Sequence, residues 1–318
     1  MKVFITYKIP EKGIKLLKEK FHVDVYEGKN FLTKEEMLER VKYADAVITQ
    51  LRDPIDREFI DAGKKLKIIA NYAVGYNNID VEYAKEKGIF VTNTPDVLTE
   101  ATADIAWALI LAVARKIIPA DKFVREGKFE GWKPHLFLGY EIYGKTLGII
   151  GMGRIGKAVA RRALGFGMNV IYHNRKKVED DYKYNAKYVD LETLLKESDF
   201  ISINAPLTKE TYHLLDSEKL SLLKPTAIIV NTARGPIVDE KVLYDLLKDG
   251  KIAGAGFDVY ENEPKITKGL EKLNNVVLLP HIGSATFQTR EKMAIMVAEN
   301  VIDALEGRIP KNLVWKND

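Results

Sequence analysis

At 318 residues, the chain is longer than a typical single domain and accommodates two, each with a sizeable core. Its 49 basic residues nearly balance its 45 acidic ones, which argues against a nucleic-acid partner. The absence of cysteine excludes disulfides, zinc thiolates and a cysteine nucleophile, so we predict no metal site and a reducing, cytoplasmic location. No apolar stretch is long enough for a signal peptide or a membrane span, and we therefore expect no membrane partner.

The first 95 residues alternate short apolar runs with amphipathic helical patterns. A capping box from Thr33 to Glu36 predicts one helix start, and Asp56 and Asp80 suit the N-caps of two more. Strands that alternate with helices at this rhythm predict a parallel sheet covered on both faces. The strands are predicted over residues 3–6, 22–26, 46–49, 67–71 and 89–92.

A long apolar helix is predicted from Thr99 to Arg115, after a turn at residues 93–96 that marks a domain crossing. Because it is apolar nearly all round, it is typical of a helix buried between layers or against another subunit. The segment from Phe129 to Tyr143 is aromatic and irregular. Such a segment rarely stays exposed, so we expect it at a subunit interface, with a local lid as the alternative.

A glycine-rich turn then lies between a predicted strand and a predicted helix. The apolar run 147–150 breaks into a G-x-G-x-x-G pattern at Gly151, Gly153 and Gly156, and a helical pattern follows at once. In a dinucleotide fold the first glycine makes the tight turn, the second lets the backbone approach a pyrophosphate, and the third lets helix and strand pack closely. The phosphates then lie on free N–H groups at the positive end of the helix. The context predicts a dinucleotide site rather than a plain glycine-rich turn.

The turn after the next predicted strand, 168–172, bears on which dinucleotide binds. An acidic residue at the end of that strand would hold the ribose 2′-hydroxyl, but the sequence there is HNRKK, residues 173–177. Arg175 and Lys176, beside Asn174, would pair with a 2′-phosphate that a carboxylate would repel. We therefore predict NADP(H) as the preferred cofactor and NAD(H) as the alternative. The competing interpretation is a solvated basic turn.

Arg234, Asp258 and His281 each follow an apolar run that predicts a buried strand. In open α/β sheets, ligands bind outside the carboxyl ends of the strands, so these side chains are expected at the ligand-binding edge. Glu263 lies in the loop after Asp258. The strands in this part of the chain are predicted over residues 200–204, 226–231, 253–257 and 276–279.

These side chains suit hydride transfer to a 2-oxo acid. A fixed guanidinium binds a carboxylate bidentately, so Arg234 is the candidate for holding the substrate. An imidazole can give a proton to the carbonyl oxygen, which suits His281, and a carboxylate such as Glu263 orients it and favours its charged form. Each residue alone also fits a structural role, as a surface ion pair, a structural histidine or a loop acid. Their coincidence beside a nucleotide fold favours catalysis.

Six ordered blocks of the chain resemble the D-isomer-specific 2-hydroxyacid dehydrogenase family over nearly the whole length. Within the family, the chain is most similar to the glyoxylate/hydroxypyruvate reductases. This similarity rests on Gly283-Ser284 after the histidine, the basic turn at Arg175-Lys176, and residues 132–134 in the aromatic segment. The six blocks are residues 71–80, 148–156, 231–235, 254–259, 263–264 and 280–286.

The resemblance implies an α/β fold of two domains with the active site in the cleft between them. A flavodoxin-like substrate-binding domain would comprise residues 1–97 and 287–318, and a Rossmann-type dinucleotide-binding domain residues 98–286. The long helix and the aromatic segment would form a homodimer in which Trp132 reaches the partner's pocket. Asp258 would contact the nicotinamide amide of the cofactor. Besides the glycine loop and the basic turn, the other implied cofactor contacts are Thr102, Arg154, Ile155, Ala205, Pro206, Thr232, Ala233, His281 and Gly283.

The implied activity is NADPH-dependent reduction of glyoxylate or hydroxypyruvate to glycolate or D-glycerate, with His281 as general acid. The backbone at Val74 and Gly75 would bind the small 2-oxo acid beside Arg234, with Leu51 and Ser284 nearby. Phosphoglycerate or D-lactate dehydrogenase activity is the alternative. The first often has an extra C-terminal domain for which no residues remain here, and the second usually keeps an acid where Asn174 stands. A dinucleotide-sensing binding protein, similar to the co-repressors of this fold, is the alternative outside the enzymes.

Overall fold

The computed structural model describes residues Met1 to Trp315, which fold into two compact units. The first unit comprises Met1–Leu98 and the chain from Ser284 onward, and the second comprises Thr99–Gly283. Among the described residues, no helix is both long enough and apolar enough to span a bilayer.

The first unit is built on a five-stranded parallel sheet with the order β2-β1-β3-β4-β5, the flavodoxin-like order. Its strands are β1 (Lys2–Ile5), β2 (His22–Val25), β3 (Ala46–Thr49), β4 (Ile68–Asn71) and β5 (Phe90–Thr92). The helices between them are α1 (Glu11–Lys18), α2 (Lys34–Val41), α3 (Arg57–Ala62) and α4 (Val81–Glu86). All residues of β3 and β4 are buried, as expected for strands covered on both faces.

The predicted helix starts of the first unit are confirmed by their caps. At α2, the Thr33 hydroxyl accepts the Glu36 N–H at 3.3 Å while the Glu36 carboxylate accepts the Thr33 N–H at 2.8 Å, which completes a capping box. The side chains of Asp56 and Asp80 accept backbone N–H groups at the starts of α3 and α4. Local hydrogen bonding therefore fixes where these helices begin.

The second unit is built on a seven-stranded parallel sheet with the order β12-β11-β10-β9-β6-β7-β8. Counted from its first strand, this is the Rossmann order with one strand added, and the order reverses between β6 and β9. The strands are β6 (Thr146–Ile150), β7 (Asn169–His173), β8 (Ala186–Tyr188), β9 (Phe200–Ile203), β10 (Ile228–Asn231), β11 (Gly254–Phe257) and β12 (Val276–Leu278). The helices are α5 (Thr99–Ala114), α6 (Ile117–Arg125), α7 (Arg154–Gly165), α8 (Leu191–Glu197), α9 (Ser217–Leu220) and α10 (Glu240–Lys248).

Helix α5 is the predicted long apolar helix, and it packs against α7 and the sheet of its own unit. The Trp107 indole donates to the Val159 carbonyl at 3.1 Å and stacks on Phe166 with ring centroids 4.4 Å apart. A Cβ placed on Gly256 would lie 2.9 Å from Cβ of Leu109, so the absence of a side chain lets α5 approach β11 closely. The apolar composition of α5 is thus explained by burial within the second unit.

Three elements of the second unit were not predicted: α6, β8 and α9. Helix α6 follows α5 after a single break, where Lys116 adopts a left-handed conformation with φ 53°. The segment from Phe129 to Tyr143 is irregular, as predicted, and Trp132 is 84% exposed within the chain. Its place at a subunit interface stays a prediction.

The last helix, α11 (Phe287–Leu305), belongs to the first unit and packs along α1. A Cβ placed on Gly13 would lie 2.3 Å from the carbonyl oxygen of Ala294, so only glycine permits this spacing of the two helices. The Tyr72 hydroxyl, after β4, donates to the Arg290 carbonyl at 2.6 Å. Both ends of the chain therefore contribute to one core.

Candidate active site

The three glycines of the G-x-G-x-x-G loop have the geometry that the sequence predicts. Gly151 has φ +95°, and a Cβ placed on it would lie 2.6 Å from the backbone nitrogen of Ala205. A Cβ on Gly156 would lie 2.1 Å from the Gly151 carbonyl oxygen, whereas a Cβ on Gly153 would meet nothing within 4 Å. The first and third glycines thus permit close packing, and the second leaves its backbone open to a ligand.

Helix α7 begins directly after this loop and is suited to bind an anion. Its N-cap is Gly153, and no side chain of the described residues caps it. The N–H groups of the first turn, which includes Arg154 and Ile155, carry the positive end of the helix dipole. These residues fit a dinucleotide pyrophosphate.

Two buried oxygen atoms, which follow the carboxyl ends of neighbouring strands, are further evidence for a bound ligand. The Oδ1 atom of Asn204, after β9, and the Oγ1 atom of Thr232, after β10, are buried without a hydrogen-bond partner among residues 1–315. Leaving such an atom unpaired costs about 1–3 kcal/mol, so a ligand that supplies donors there would relieve the cost. Thr232 is a predicted cofactor residue. Sequence reasoning missed Asn204, although it immediately precedes the predicted Ala205 and Pro206.

The basic turn after β7 is exposed at Arg175 and Lys176. Before it, the Asn174 side-chain oxygen accepts the Met152 N–H at 2.9 Å and so holds the glycine loop. Two acids that follow this turn pair with other lysines: Asp180 lies 2.6 Å from Lys157, and Asp181 lies 3.5 Å from Lys177. Hydrogen bonding to Thr208 lowers the pKa of Glu210, with a contribution from the charge of Arg175.

Arg234 lies on a tight turn after β10 that Asn231 organises. The Asn231 side chain accepts the Ala233 N–H at 3.0 Å and donates to the Arg234 carbonyl at 2.9 Å. A Cβ on Gly235 would lie only 1.9 Å from the carbonyl carbon of Tyr260, so this turn packs directly on the loop that carries Glu263. Burial lowers the pKa of the Arg234 guanidinium, and the nearby charge of Glu263 opposes that shift. The result is a partly desolvated cation close to a carboxylate.

His281 and Glu263 form the predicted pair. The His281 Nδ1 atom lies 2.9 Å from Glu263 Oε2, and Glu263 Oε1 accepts the Tyr260 N–H at 3.0 Å. Because an ionised carboxylate only accepts hydrogen bonds, Nδ1 carries a proton, and Nε2 remains to face a substrate. Burial alone would raise the pKa of Glu263, but His281, the Tyr260 N–H and the charge of Arg234 together lower it.

Asp258 fixes the backbone that follows His281. Its two carboxylate oxygens accept the N–H groups of Ile282 and Gly283, each at 2.7 Å, and the residue is 1% exposed. His281 itself is left-handed, with φ 55°. Burial raises the pKa of Asp258, while these two bonds and the charge of His281 oppose the shift. Sequence reasoning assigned Asp258 only to the cofactor and missed this role.

Thr102 lies beside the same turn. A Cβ placed on Gly283 would lie 3.3 Å from Cγ2 of Thr102 and 3.1 Å from Asp258 Oδ2. The fold therefore brings three predicted cofactor residues together at one end of the sheet. Each carboxylate oxygen of Asp258 can still accept a second hydrogen bond, so its predicted contact with the cofactor amide remains open to it.

The predicted substrate residues of the first unit lie in loops after two neighbouring strands, Leu51 after β3 and Val74-Gly75 after β4. The Asn93 side chain donates to the Val74 carbonyl at 2.8 Å. Ser284 begins the segment that leads into α11, and its carbonyl accepts the Thr286 N–H at 2.9 Å. Their contact with a substrate stays a prediction.

A partly buried amide network joins these loops, and sequence reasoning missed it. The Asn71 side-chain nitrogen donates to the Gly75 carbonyl at 2.8 Å and to the Asn78 oxygen at 3.3 Å. The Asn78 nitrogen donates in turn to the carbonyls of Gln50 and Asp53, at 3.1 and 3.0 Å. Both asparagines stand in the block 71–80, but the carbonyl partners of Asn78 lie more than 20 residues away, which no local pattern indicates.

Within the described part of the chain, no group of three or more His, Cys, Asp or Glu side chains could hold a metal ion. The geometry is therefore that of a dinucleotide loop, a desolvated arginine and a histidine–carboxylate pair, all carried by the second unit.

Comparison with known proteins gives consistent results. Residues 107–283 match the sequence model of the D-isomer specific 2-hydroxyacid dehydrogenase NAD binding domain. The chain is 54% identical over 318 residues to a glyoxylate reductase of Thermococcus onnurineus, an alignment that covers 98% of this chain and 95% of the relative. A solved protein of Thermus thermophilus is 47% identical with a TM-score of 0.94, covering 99% of this chain and 100% of that one. An NADPH-dependent glyoxylate/hydroxypyruvate reductase of Sinorhizobium meliloti, solved with NADP and malonate, is 33% identical with a TM-score of 0.87, covering 98% and 96%.

Proposed function

The chain belongs to the D-isomer-specific 2-hydroxyacid dehydrogenase family, an oxidoreductase family, and we propose that it reduces glyoxylate to glycolate and hydroxypyruvate to D-glycerate. The observation that carries the proposal is the 2.9 Å pair of His281 and Glu263 beside the desolvated Arg234, on the sheet that carries the glycine loop. The 54% identity to a glyoxylate reductase supports this substrate class.

Each side chain of this group has a distinct role in the reaction. The bound nicotinamide cofactor supplies the hydride that reduces C2 of the 2-oxo acid. Arg234 binds the substrate carboxylate, because a guanidinium matches its two oxygens and is already stripped of much of its water. His281 donates a proton from Nε2 to the carbonyl oxygen, which becomes the product hydroxyl. Glu263 keeps the Nδ1 proton in place and stabilises the charged imidazole before the transfer.

We propose NADPH as the preferred reductant. The exposed Arg175 and Lys176 follow the strand end where a carboxylate would otherwise hold the ribose, and paired cations suit a 2′-phosphate. Asn174, whose side chain holds the glycine loop, would keep this turn beside the cofactor. The relative from Sinorhizobium meliloti is NADPH-dependent, which is compatible with this preference.

The remaining assignments belong to the same proposal. The backbone at Val74-Gly75, with Leu51 and Ser284, would complete the substrate site, and a cytoplasmic location fits the cysteine-free composition.

A homodimer would cover the apolar side chains that α6 and the aromatic segment expose, including Trp132. Sedimentation velocity on the purified protein tests the dimer, and a monomer at all concentrations would contradict it.

Initial rates on glyoxylate and hydroxypyruvate, measured with NADPH and NADH in parallel, test the activity. Pyruvate and 3-phosphohydroxypyruvate serve as controls for the D-lactate and phosphoglycerate alternatives. We expect the highest kcat/KM for glyoxylate or hydroxypyruvate with NADPH. A higher kcat/KM for either control acid would overturn the proposed substrate assignment. Equal rates with NADH and NADPH would overturn only the proposed preference for NADPH.

A further inference from the structure

The loop that carries Glu263 is fastened to helix α10 by two other carboxylates. Glu240, the first residue of α10, is 3% exposed. Its carboxylate accepts the N–H groups of Glu261 at 2.9 Å and Thr267 at 2.8 Å, which flank Glu263 in the chain. The Glu261 carboxylate accepts the Glu240 N–H at 3.2 Å in return. Glu240 therefore closes the loop on both sides of the catalytic carboxylate.

His213 contacts this pair from outside the loop. Its Nε2 atom lies 2.7 Å from Glu261 Oε1, and its Nδ1 atom lies 3.9 Å from the carboxylate of Asp239, the N-cap of α10. The imidazole stacks on Tyr212, with ring centroids 4.2 Å apart. His213 and Glu261 thus form a second histidine–glutamate pair, in addition to that of His281 and Glu263.

The backbone of His213 is tied to the substrate-binding turn as well. Its N–H donates at 2.8 Å to the carbonyl of Pro236, two residues after Arg234. Gly235 in that turn packs against the backbone of Tyr260 and Glu261. One histidine is therefore bonded both to the turn that presents Arg234 and to the loop that presents Glu263.

The negative charges around the loop explain why Glu261 needs a hydrogen-bond donor such as His213. Asp239, Glu240 and Glu261 are three carboxylates close together, and Glu263 is a fourth acid on the same loop. Like charges held near one another disfavour the arrangement unless donors compensate them. The N-terminus of α10 compensates part of this charge, and the His213 side chain supplies the donor to Glu261. Without that donor, the Glu261 carboxylate would be better solvated by turning toward water. The loop would then lose the bond from the Glu240 N–H to Glu261 and be held less firmly on α10.

We propose that His213 is a positioning residue: through Glu261 and Glu240, it holds the loop 260–267 so that Glu263 stays on Nδ1 of His281. The inference rests on the proposed proton donation by His281, but not on which 2-oxo acid is reduced. His213 itself touches neither substrate nor cofactor in this scheme.

The test compares His213→Phe, which keeps a ring to stack on Tyr212 but has no donor, with His213→Gln, which keeps a donor. We expect His213→Phe to lower kcat by about 3- to 10-fold, a part of the factor that acid catalysis supplies. The pH at which the reduction rate falls should move downward, in the same direction as in Glu263→Gln. The Kd for NADPH should not change, and His213→Gln should restore most of the rate. His22→Phe, at an exposed histidine of the first unit, is the matched control.

A second measurement does not need turnover. The proton between Nδ1 of His281 and Glu263 should give a downfield NMR signal that is lost or broadened in His213→Phe and retained in His22→Phe. If His213→Phe keeps this signal and the wild-type pH profile, even with a lower Tm, the positioning role is wrong and His213 is merely structural. If the wild-type protein reduces no 2-oxo acid, the proposed function fails, and the NMR comparison still decides this inference.

Discussion

Replacing Glu263 by Gln removes one charge from the catalytic pair and nearly preserves its shape. A hydrogen bond from a charged donor to a carboxylate contributes about 1.5–3 kcal/mol, against about 0.5–1.5 kcal/mol for a neutral one. The side chains of His281 and Glu263 are 30% and 37% exposed, so solvent screening reduces the difference to about 1 kcal/mol. Since about 1.4 kcal/mol corresponds to one pH unit, the pH at which reduction slows should move down by about 0.7 units.

The assay is the pH profile of kcat/KM for glyoxylate, followed by NADPH absorbance from pH 5 to pH 10. Below the pH at which the rate begins to fall, the variant should stay within a few-fold of the wild-type protein, and above it the two should diverge by about 5-fold, the factor that 0.7 units implies. Glu271→Gln, an exposed glutamate that accepts the Gly269 N–H, is the control. An unchanged profile, or an equal loss at every pH, would refute the reasoning.

The lowered pKa of Glu263 also fixes the sign of its effect on stability. A carboxylate with a depressed pKa in the folded state stabilises the fold above its unfolded pKa, and this contribution is lost as the pH falls through the folded value. The Tm difference between the wild-type protein and Glu263→Gln should therefore be largest near neutral pH and shrink below about pH 4.3. A difference that grew on acidification would contradict the observed hydrogen bonds.

Three further substitutions test other parts of the site. Arg234→Ala should lower kcat/KM for glyoxylate by at least about 10³-fold, as expected when a partly desolvated cation that binds the substrate is lost, while NADPH affinity measured by fluorescence survives; near-normal kinetics would remove Arg234 from the site. Replacing Arg175 and Lys176 together by Ala should raise the KM for NADPH by about 10-fold or more and leave the KM for NADH unchanged; an unchanged KM for NADPH would indicate a solvated turn, and parallel changes in both would contradict a contact with the 2′-phosphate. Asn78→Ala breaks three partly buried hydrogen bonds and should cost about 2–3 kcal/mol in denaturant unfolding, with a raised KM for glyoxylate; unchanged stability would show that the network is dispensable.

Where structure depends on neighbours in the chain, the sequence was a sufficient guide. The capping box at Thr33 and the glycine pattern from Gly151 to Gly156 are local, because the partners lie within a few residues or the backbone itself sets the geometry. The strand-end positions of Arg234 and His281 followed from the apolar runs before them. The pair that His281 forms with Glu263 followed from chemistry, since an imidazole acid needs a carboxylate partner.

What the sequence did not indicate depends on contacts between distant segments. The bonds from Asp258 to Ile282 and Gly283 span about 25 residues, and those of the Asn78 network span similar distances. Helix α6 was missed for a different reason: it follows α5 after one left-handed residue, Lys116, and none of its residues is buried in a core. The NADPH preference and the dimer remain predictions, because both depend on molecules other than the chain itself.

The contact of α11 with α1 has a consequence for the order in which the protein can fold during synthesis. The second unit is one continuous stretch, Thr99–Gly283, and can form its sheet as soon as that stretch has left the ribosome. The first part of the first unit is synthesised before the second unit, yet it lacks α11, the helix that packs on Gly13, until residues 287–305 are made. Its five strands must therefore wait without α11, which contacts β3, β4 and β5, while nearly 200 intervening residues are added. The first unit is thus begun before the second unit and completed after it.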